Sequence, residues 1–179
     1  VAATGRLDAD FRGYPAASGP GRPLVGGGYG TGGGGGHGGN GGSGFDAQSP
    51  GPEWGDPLDP WQPGSGGGNN DPSYILNCQP GGGAIRVDMT GQVTVDGAVT
   101  ASGRSGSGTH GTSGAGGSVA IHCRTFQGAA TGLVRADAGQ GNYYGGNGGG
   151  GRLAVYYDSA AQALLPRPRV RFSTYAYPA

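Results

Sequence analysis

The chain has 179 residues, of which 46 are glycine and 13 are proline, about a third of the total. That composition indicates low complexity unless a period organises it. Eleven arginines balance eleven acidic residues and lysine is absent, which argues against nucleic-acid binding, Schiff-base chemistry and a P-loop. No apolar run approaches about 18 residues, so the sequence predicts no membrane span.

The first part of the chain contains one candidate strand and two segments of biased composition. Residues 5–10 alternate in the way that predicts a strand. Residues 26–44 form an X-Gly-Gly tract, and residues 46–72 form a proline-rich loop that contains Trp54 and Trp61. A step of three residues is the period of the polyproline II helix. A flexible linker is the competing interpretation of the tract.

Glycines in one phase of this period would let polyproline II segments approach until their backbones pair. The same step recurs near residues 108–117 and 139–151. Ordered glycine is entropically costly, so such tracts are expected to pack against one another. The predicted packing positions are Gly27, Gly30, Gly33, Gly36, Gly39, Gly42, Gly108, Gly111 and Gly114.

Repeats of about 34 residues occupy residues 81–157. A glycine pair followed by alternating apolar residues occurs three times, and Ile85, Val119 and Leu153 stand at equivalent places 34 residues apart. A second motif lies between these copies, at residues 95–101 and 132–137. Alternation with a period of two predicts half-buried strands.

The C-terminal segment, residues 166–179, predicts a final strand and a possible assembly arm. Val170 and Phe172 fall on one face, opposite Arg169 and Arg171. An exposed strand can add to another chain, and completing its own subunit is equally compatible with the pattern. The candidate assembly residues are Val170, Phe172, Tyr175 and Tyr177.

These elements predict an all-β fold with essentially no helix. Residues 1–165 form a single module in which short strands make a repetitive solenoid- or sandwich-like arrangement, flanked by a packed layer of polyproline II tracts. Cys78 and Cys123 are the only cysteines. An even count in a chain that looks exported favours one disulfide, with two free thiols as the alternative.

No residue set predicts catalysis, so we expect no enzyme and no cofactor; a hydrolase with unpaired carboxylates is the weaker alternative. His37, His110 and His122 are expected to be solvated or hydrogen-bonded. A group of oxygen ligands in the proline-rich loop suits turns and caps better than calcium. Calcium binding is left open there, at Asp56, Asp59 and Asp71 near Asn69 and Asn70.

Several segments resemble the glycine-rich repeat modules of large bacterial surface proteins. They are residues 81–87, 95–103, 114–119 and 149–157. The resemblance implies an exported, repetitive β architecture at the cell surface or in an extracellular matrix. A looser likeness, in the three-residue period only, is to glycine-rich antifreeze proteins built as polyproline II bundles.

The leading functional hypothesis is a secreted structural protein that binds copies of itself and forms a filament or surface layer. It involves no nucleic acid and no membrane span. The alternative is an extracellular module that binds ice or glycans. Its candidate threonines are Thr31, Thr109 and Thr112, and its candidate stacking residues are Tyr143, Tyr144, Tyr156 and Tyr157.

Overall fold

The computed structural model describes residues 1–24, 32–45, 49–69 and 71–178. Within these ranges a 3-10 helix spans Pro72–Asn77, and one α-helix, α1, spans Ser159–Gln162. The expectation of a mostly-β chain with almost no helix is confirmed. The strands are β1 (Arg6–Asp8), β2 (Ala84–Asp88), β3 (Gln92–Thr94), β4 (Ala98–Thr100), β5 (Ser118–His122), β6 (Thr125–Gln127), β7 (Leu133–Arg135), β8 (Arg152–Tyr156) and β9 (Arg171–Ser173).

These strands form three sheets in which every neighbouring pair is parallel. The orders are β1-β4-β7-β9, β2-β5-β8 and β3-β6. Consecutive strands belong to different sheets. The strands β2, β3 and β4 lie in three different sheets, and β5, β6 and β7 lie in the same three sheets in the same order. After β8 the chain forms α1 instead of a third strand of the β3-β6 sheet, and α1 contacts β6.

The apolar residues of the repeats pair in register across the sheets. Ile85 is opposite Val119, which is opposite Leu153. In the four-stranded sheet, Leu7, Val99, Val134 and Phe172 form a second row, here called the Leu7 column. Because paired residues of neighbouring strands lie on the same face of a sheet, the apolar residues of each sheet form a row that faces inward. Residues from all three sheets contribute to one core.

The glycine-rich segments bond to their neighbours at steps of three residues. The amides of Ser113 and Gly116 bind the carbonyls of Gly146 and Gly149, 2.9–3.2 Å away. The next amide after each, in Gly114 and Gly117, binds the carbonyls of Arg104 and Ala101, while that of Ala115 binds Ser65. One segment is therefore bonded on three sides, with the three-residue period of polyproline II.

Close backbone approach makes glycine necessary at the centre of these segments. A Cβ added at Gly34 would lie 1.7 Å from the carbonyl oxygen of Asn147, and one added at Gly114 would lie 2.0 Å from that of Pro80. No side chain fits at such distances. Hydrogen bonding between backbones replaces apolar side-chain packing in this part of the molecule.

The segment after β8 covers one sheet edge and then completes another. The side chain of Asp158 caps α1 by accepting from the amides of Ala160 and Ala161. Oε1 of Gln162 accepts from the backbone amide of Phe126 at 2.8 Å, where a further strand of that sheet would otherwise pair. The chain then turns back, and β9 pairs with β7.

Candidate functional site

The free ends of the strand rows are the principal candidate site. In the Leu7 column, Val99 and Val134 are 1% and 0% exposed, whereas Leu7 and Phe172 are 42% and 49% exposed. Leu7 belongs to the edge strand β1, and Phe172 belongs to the edge strand β9. Among the described residues, each edge thus displays an apolar side chain on a strand that is paired on one side only, the features that template the addition of another chain.

The predicted assembly residues divide between core and surface. Val170 is 9% exposed and belongs to the core of its own chain. Phe172 is half exposed, and its ring centroid lies 6.1 Å from that of Phe126. The tail stays beside residues 134–138, because Tyr175 accepts from Ala138 at 2.8 Å. The Tyr177 ring packs on that of Tyr175, 5.0 Å away.

The structure does not contain the predicted disulfide; Cys78 and Cys123 are free thiols. Cys78 lies beside Thr112, whose carbonyl accepts from the amide of Gln79, and Cys123 follows β5. Residues 112–122 run without a turn between these places, a length of about 30 Å. The two Cα atoms of a disulfide lie within about 7 Å of each other. Burial raises the pKa of both thiols, which disfavours the reactive thiolate.

The predicted packing glycines occupy different environments. A Cβ would come within 3 Å of another atom at Gly33, Gly36, Gly111 and Gly114, but it would meet nothing within 4 Å at Gly39. Gly42 is looser, and Gly108 has a φ of +64° in a turn. Gly27 and Gly30 lie outside the described residues. Close packing also extends beyond the predicted phase, to Gly32, Gly34 and Gly35.

The acidic side chains of the proline-rich loop are used locally. Asp56 accepts from the amide of Leu58 at 2.8 Å, and Asp71 accepts from that of Ser73 at 2.8 Å. Asp59 lies 3.0 Å from Arg86, which holds the pKa of that carboxyl below its usual range. In the part of the chain that the structure describes, no three His, Cys, Asp or Glu side chains are grouped to hold a metal ion. Asn70 lies outside that part.

The proline-rich loop lies against the outward side chains of β2, β5 and β8. Oγ of Ser118 donates to the carbonyl of Gln62 at 2.6 Å. Nη2 of Arg152 donates to Oε1 of Glu53 at 2.9 Å and to the carbonyl of Trp54 at 3.2 Å. At the end of the same sheet, the ring of His122 stacks on that of Tyr156, 4.6 Å away.

His37 was not singled out by the sequence as a buried residue, yet it is 0% exposed. Its Nδ1 donates to the carbonyl of Gly116 at 2.9 Å, and its ring lies 5.2 Å from that of Trp54. Burial lowers the pKa of His37 to about 4, so the ring is neutral at pH 7. This buried histidine therefore contacts both the proline-rich loop and the segment that leads into β5.

A second surface feature is a group of five rings, here called the aromatic platform. The centroid of His110 lies 4.2 Å from that of Tyr74 and 5.2 Å from that of Tyr144. Tyr143 lies 4.4 Å from Tyr144 and is 77% exposed. A hydrogen bond between these two tyrosines raises the pKa of Tyr144. Phe45 completes the group, 5.0 Å from Tyr144.

The threonines predicted to face ice do not share a surface. Thr112 is fully buried, whereas Thr109 is exposed. Thr31 lies outside the described residues. No helix in the described ranges is both long and apolar enough to cross a membrane.

Comparisons with protein-family models, with curated proteins and with solved structures find no match. The fold itself defines the class: a mostly-β protein of parallel sheets accompanied by hydrogen-bonded glycine-rich segments. The resemblance to glycine-rich surface modules stays a prediction.

Proposed function

We propose that the chain is a structural subunit of an extracellular filament or surface layer, assembled noncovalently from copies of itself. The observation that carries this proposal is the Leu7 column, whose inner members are buried and whose end members, Leu7 and Phe172, are half exposed. Exposed apolar residues on open strand edges favour association.

The architecture we propose is a parallel β solenoid with a layer of polyproline II helices beside it. Consecutive strands belong to the three sheets in a fixed order, and Ile85, Val119 and Leu153, which pair with one another, are 34 residues apart. Both observations support the solenoid. The three-residue step of the hydrogen bonds supports the polyproline II layer. Both parts repeat along one direction, which suits a subunit that extends by stacking.

A non-enzymatic role fits the surroundings of the polar groups. His37 has no access to solvent, Asp56 and Asp71 bind local backbone amides, and Asp59 pairs with Arg86. The missing disulfide removes one argument for export, so the extracellular setting rests on the resemblance to surface modules.

Assembly is tested directly on the purified protein. We expect the sedimentation coefficient to rise with concentration and electron micrographs to show fibres or sheets. A protein that stays monomeric from micromolar to millimolar concentration, at low and physiological salt, contradicts the proposal.

The aromatic platform supports a second candidate function, glycan binding. Stacked aromatic rings offer flat apolar faces with polar edges, and Tyr143 exposes most of its side chain. A glycan array tests this, with Tyr143→Ala expected to abolish binding and Trp61→Ala, at an exposed aromatic residue outside the platform, expected to retain it. Absence of binding by the unaltered protein contradicts this candidate.

A further inference from the structure

The strand rows end at two different surfaces. The β1 end is defined by the free edges of β1 and β2, and the β9 end by those of β8 and β9. Building on the proposed function, we propose that the β9 end of one copy adds to the β1 end of a second copy, so that parallel pairing continues from subunit to subunit.

The shape of the β1 end fits an apolar side chain from a second copy. A recess of about 240 Å³ opens there, lined by Leu7, Val87, Val93, Val99 and Ile121 among others. Phe172 is the half-exposed aromatic residue of the same column at the opposite end. With Phe172 placed beside Leu7 of the next copy, its ring faces the interior side that Leu7 faces, over the recess.

Side-chain alternation restricts the register of this addition. Because Phe172 is fixed opposite Val134 in its own chain, a shift of one residue would place it opposite Arg6 or Asp8 of the next copy, whose side chains face away from the core. In the register that continues the Leu7 column, only the four-stranded sheet pairs directly. The β2-β5-β8 sheet has one strand fewer, so β8 is separated from β2 of the next copy by the width of one strand.

Charge favours the same pairing of ends. Residues 152–178 carry four arginines and one aspartate, a net side-chain charge of +3. Residues 1–12 and 84–97 together carry three arginines and four aspartates, a net side-chain charge of −1. Within the described ranges no acidic side chain forms an ion pair with Arg167, Arg169 or Arg171.

The two ends are different surfaces, so the contact has a direction. Two β9 ends would bring the unpaired arginines together, and α1 with Gln162 already occupies the β6 edge beside them. A contact between unlike surfaces leaves one free end of each kind on every complex. Unless rotation closes a ring, such head-to-tail contacts generate open filaments.

Two end-blocked variants test the contact. Leu7→Arg places a positive charge where the cationic β9 end would dock, and Phe172→Asp places a charged group in the apolar contact that the Phe172 ring would make with the recess of the β1 end. We expect each variant alone to remain monomeric by sedimentation. A mixture in equal amounts should form a dimer of one copy of each, because one intact end of each kind remains. Leu76→Arg, at an 87% exposed leucine of the 3-10 helix, should assemble like the unaltered protein.

Hydrogen exchange on the unaltered protein gives a readout that does not depend on how the variants fold. Assembly should slow amide exchange in residues 6–8 and 171–173 relative to dilute monomer. If the unaltered protein assembles without protection there, or if both variants assemble alone, the contact is wrong while the proposed function stands. If the unaltered protein does not assemble, the proposed function is wrong and the contact falls with it.

Discussion

Nδ1 of His37 donates a hydrogen bond to the carbonyl of Gly116 at 2.9 Å, from a ring with no exposed surface. The carbonyl can only accept, so the proton of the neutral ring is on Nδ1. The bond joins the first glycine tract to the segment that leads into β5. Arg152, which approaches the His37 carbonyl, also opposes a positive charge on the ring.

Stability should therefore depend on pH through His37. The unfolded chain takes up this proton near pH 6.5 and the folded chain only near pH 4, so the unfolded state binds more protons between these values. The contribution is fully present above about pH 6.5 and is lost as the pH falls towards 4, by about 3 kcal/mol. Urea unfolding at a series of pH values measures this loss.

His37→Asn is the matched variant for that measurement, because an amide can replace the Nδ1 donor without titrating. We expect lower stability at pH 7 and a flatter profile between pH 6.5 and 4 than the unaltered protein shows. Parallel profiles for the two proteins would show that His37 is not the titrating group.

The thiols should behave as two free cysteines. Denaturation in the presence of iodoacetamide, without reductant, should add two labels per chain, and prior reduction should not change the number. In the folded protein Cys123 should react faster, because Cys78 is the more buried of the two. Protein that takes up the two labels only after reduction would show that Cys78 and Cys123 form a disulfide.

The sequence predicted the strands wherever a glycine pair precedes alternating apolar residues. Ile85, Val119 and Leu153 stand opposite one another because the repeat length matches one passage through the three sheets. The strands β3 and β6 were not predicted, because neither belongs to the repeated motifs. The parity of two cysteines carried no information on distance, and the disulfide prediction failed for that reason.

The burial of His37 could not be predicted from the sequence either. It occupies an X position of the X-Gly-Gly tract, where a polar residue is expected to face solvent. Its neighbours along the tract are bonded to several different segments: Gly36 to Gly21, and Gly38 to Gly150. A residue enclosed by partners that are distant in sequence is buried whatever its polarity, and only the assembled fold shows those partners.

Gly34 and Gly39 should respond differently to the same added methyl group. At Gly34 the Cβ would lie 1.7 Å from the carbonyl oxygen of Asn147, so the two segments must separate and their hydrogen bonds lengthen. We expect Gly34→Ala to lower the free energy of unfolding by about 3 kcal/mol. Gly39→Ala meets nothing within 4 Å and should change it by less than about 1 kcal/mol. Equal effects in denaturant unfolding would contradict the packed arrangement of the tract.

Val170, immediately before β9, and Phe172, within β9, should have different effects on stability and on assembly. Val170 is 9% exposed and belongs to the core, and its Cγ2 reaches the position that a Cβ of Gly128 would take. Val170→Ala should therefore cost about 2 kcal/mol of stability. Phe172→Ala removes a half-exposed ring and should cost less stability, while raising the protein concentration needed for assembly.

Deleting residues 166–179 removes both side chains together, so it should destabilise the subunit as well as prevent assembly. Thermal unfolding of dilute monomer and sedimentation of concentrated protein measure the two effects. If Phe172→Ala assembles like the unaltered protein while Val170→Ala does not, the buried residue, and not the exposed one, governs association.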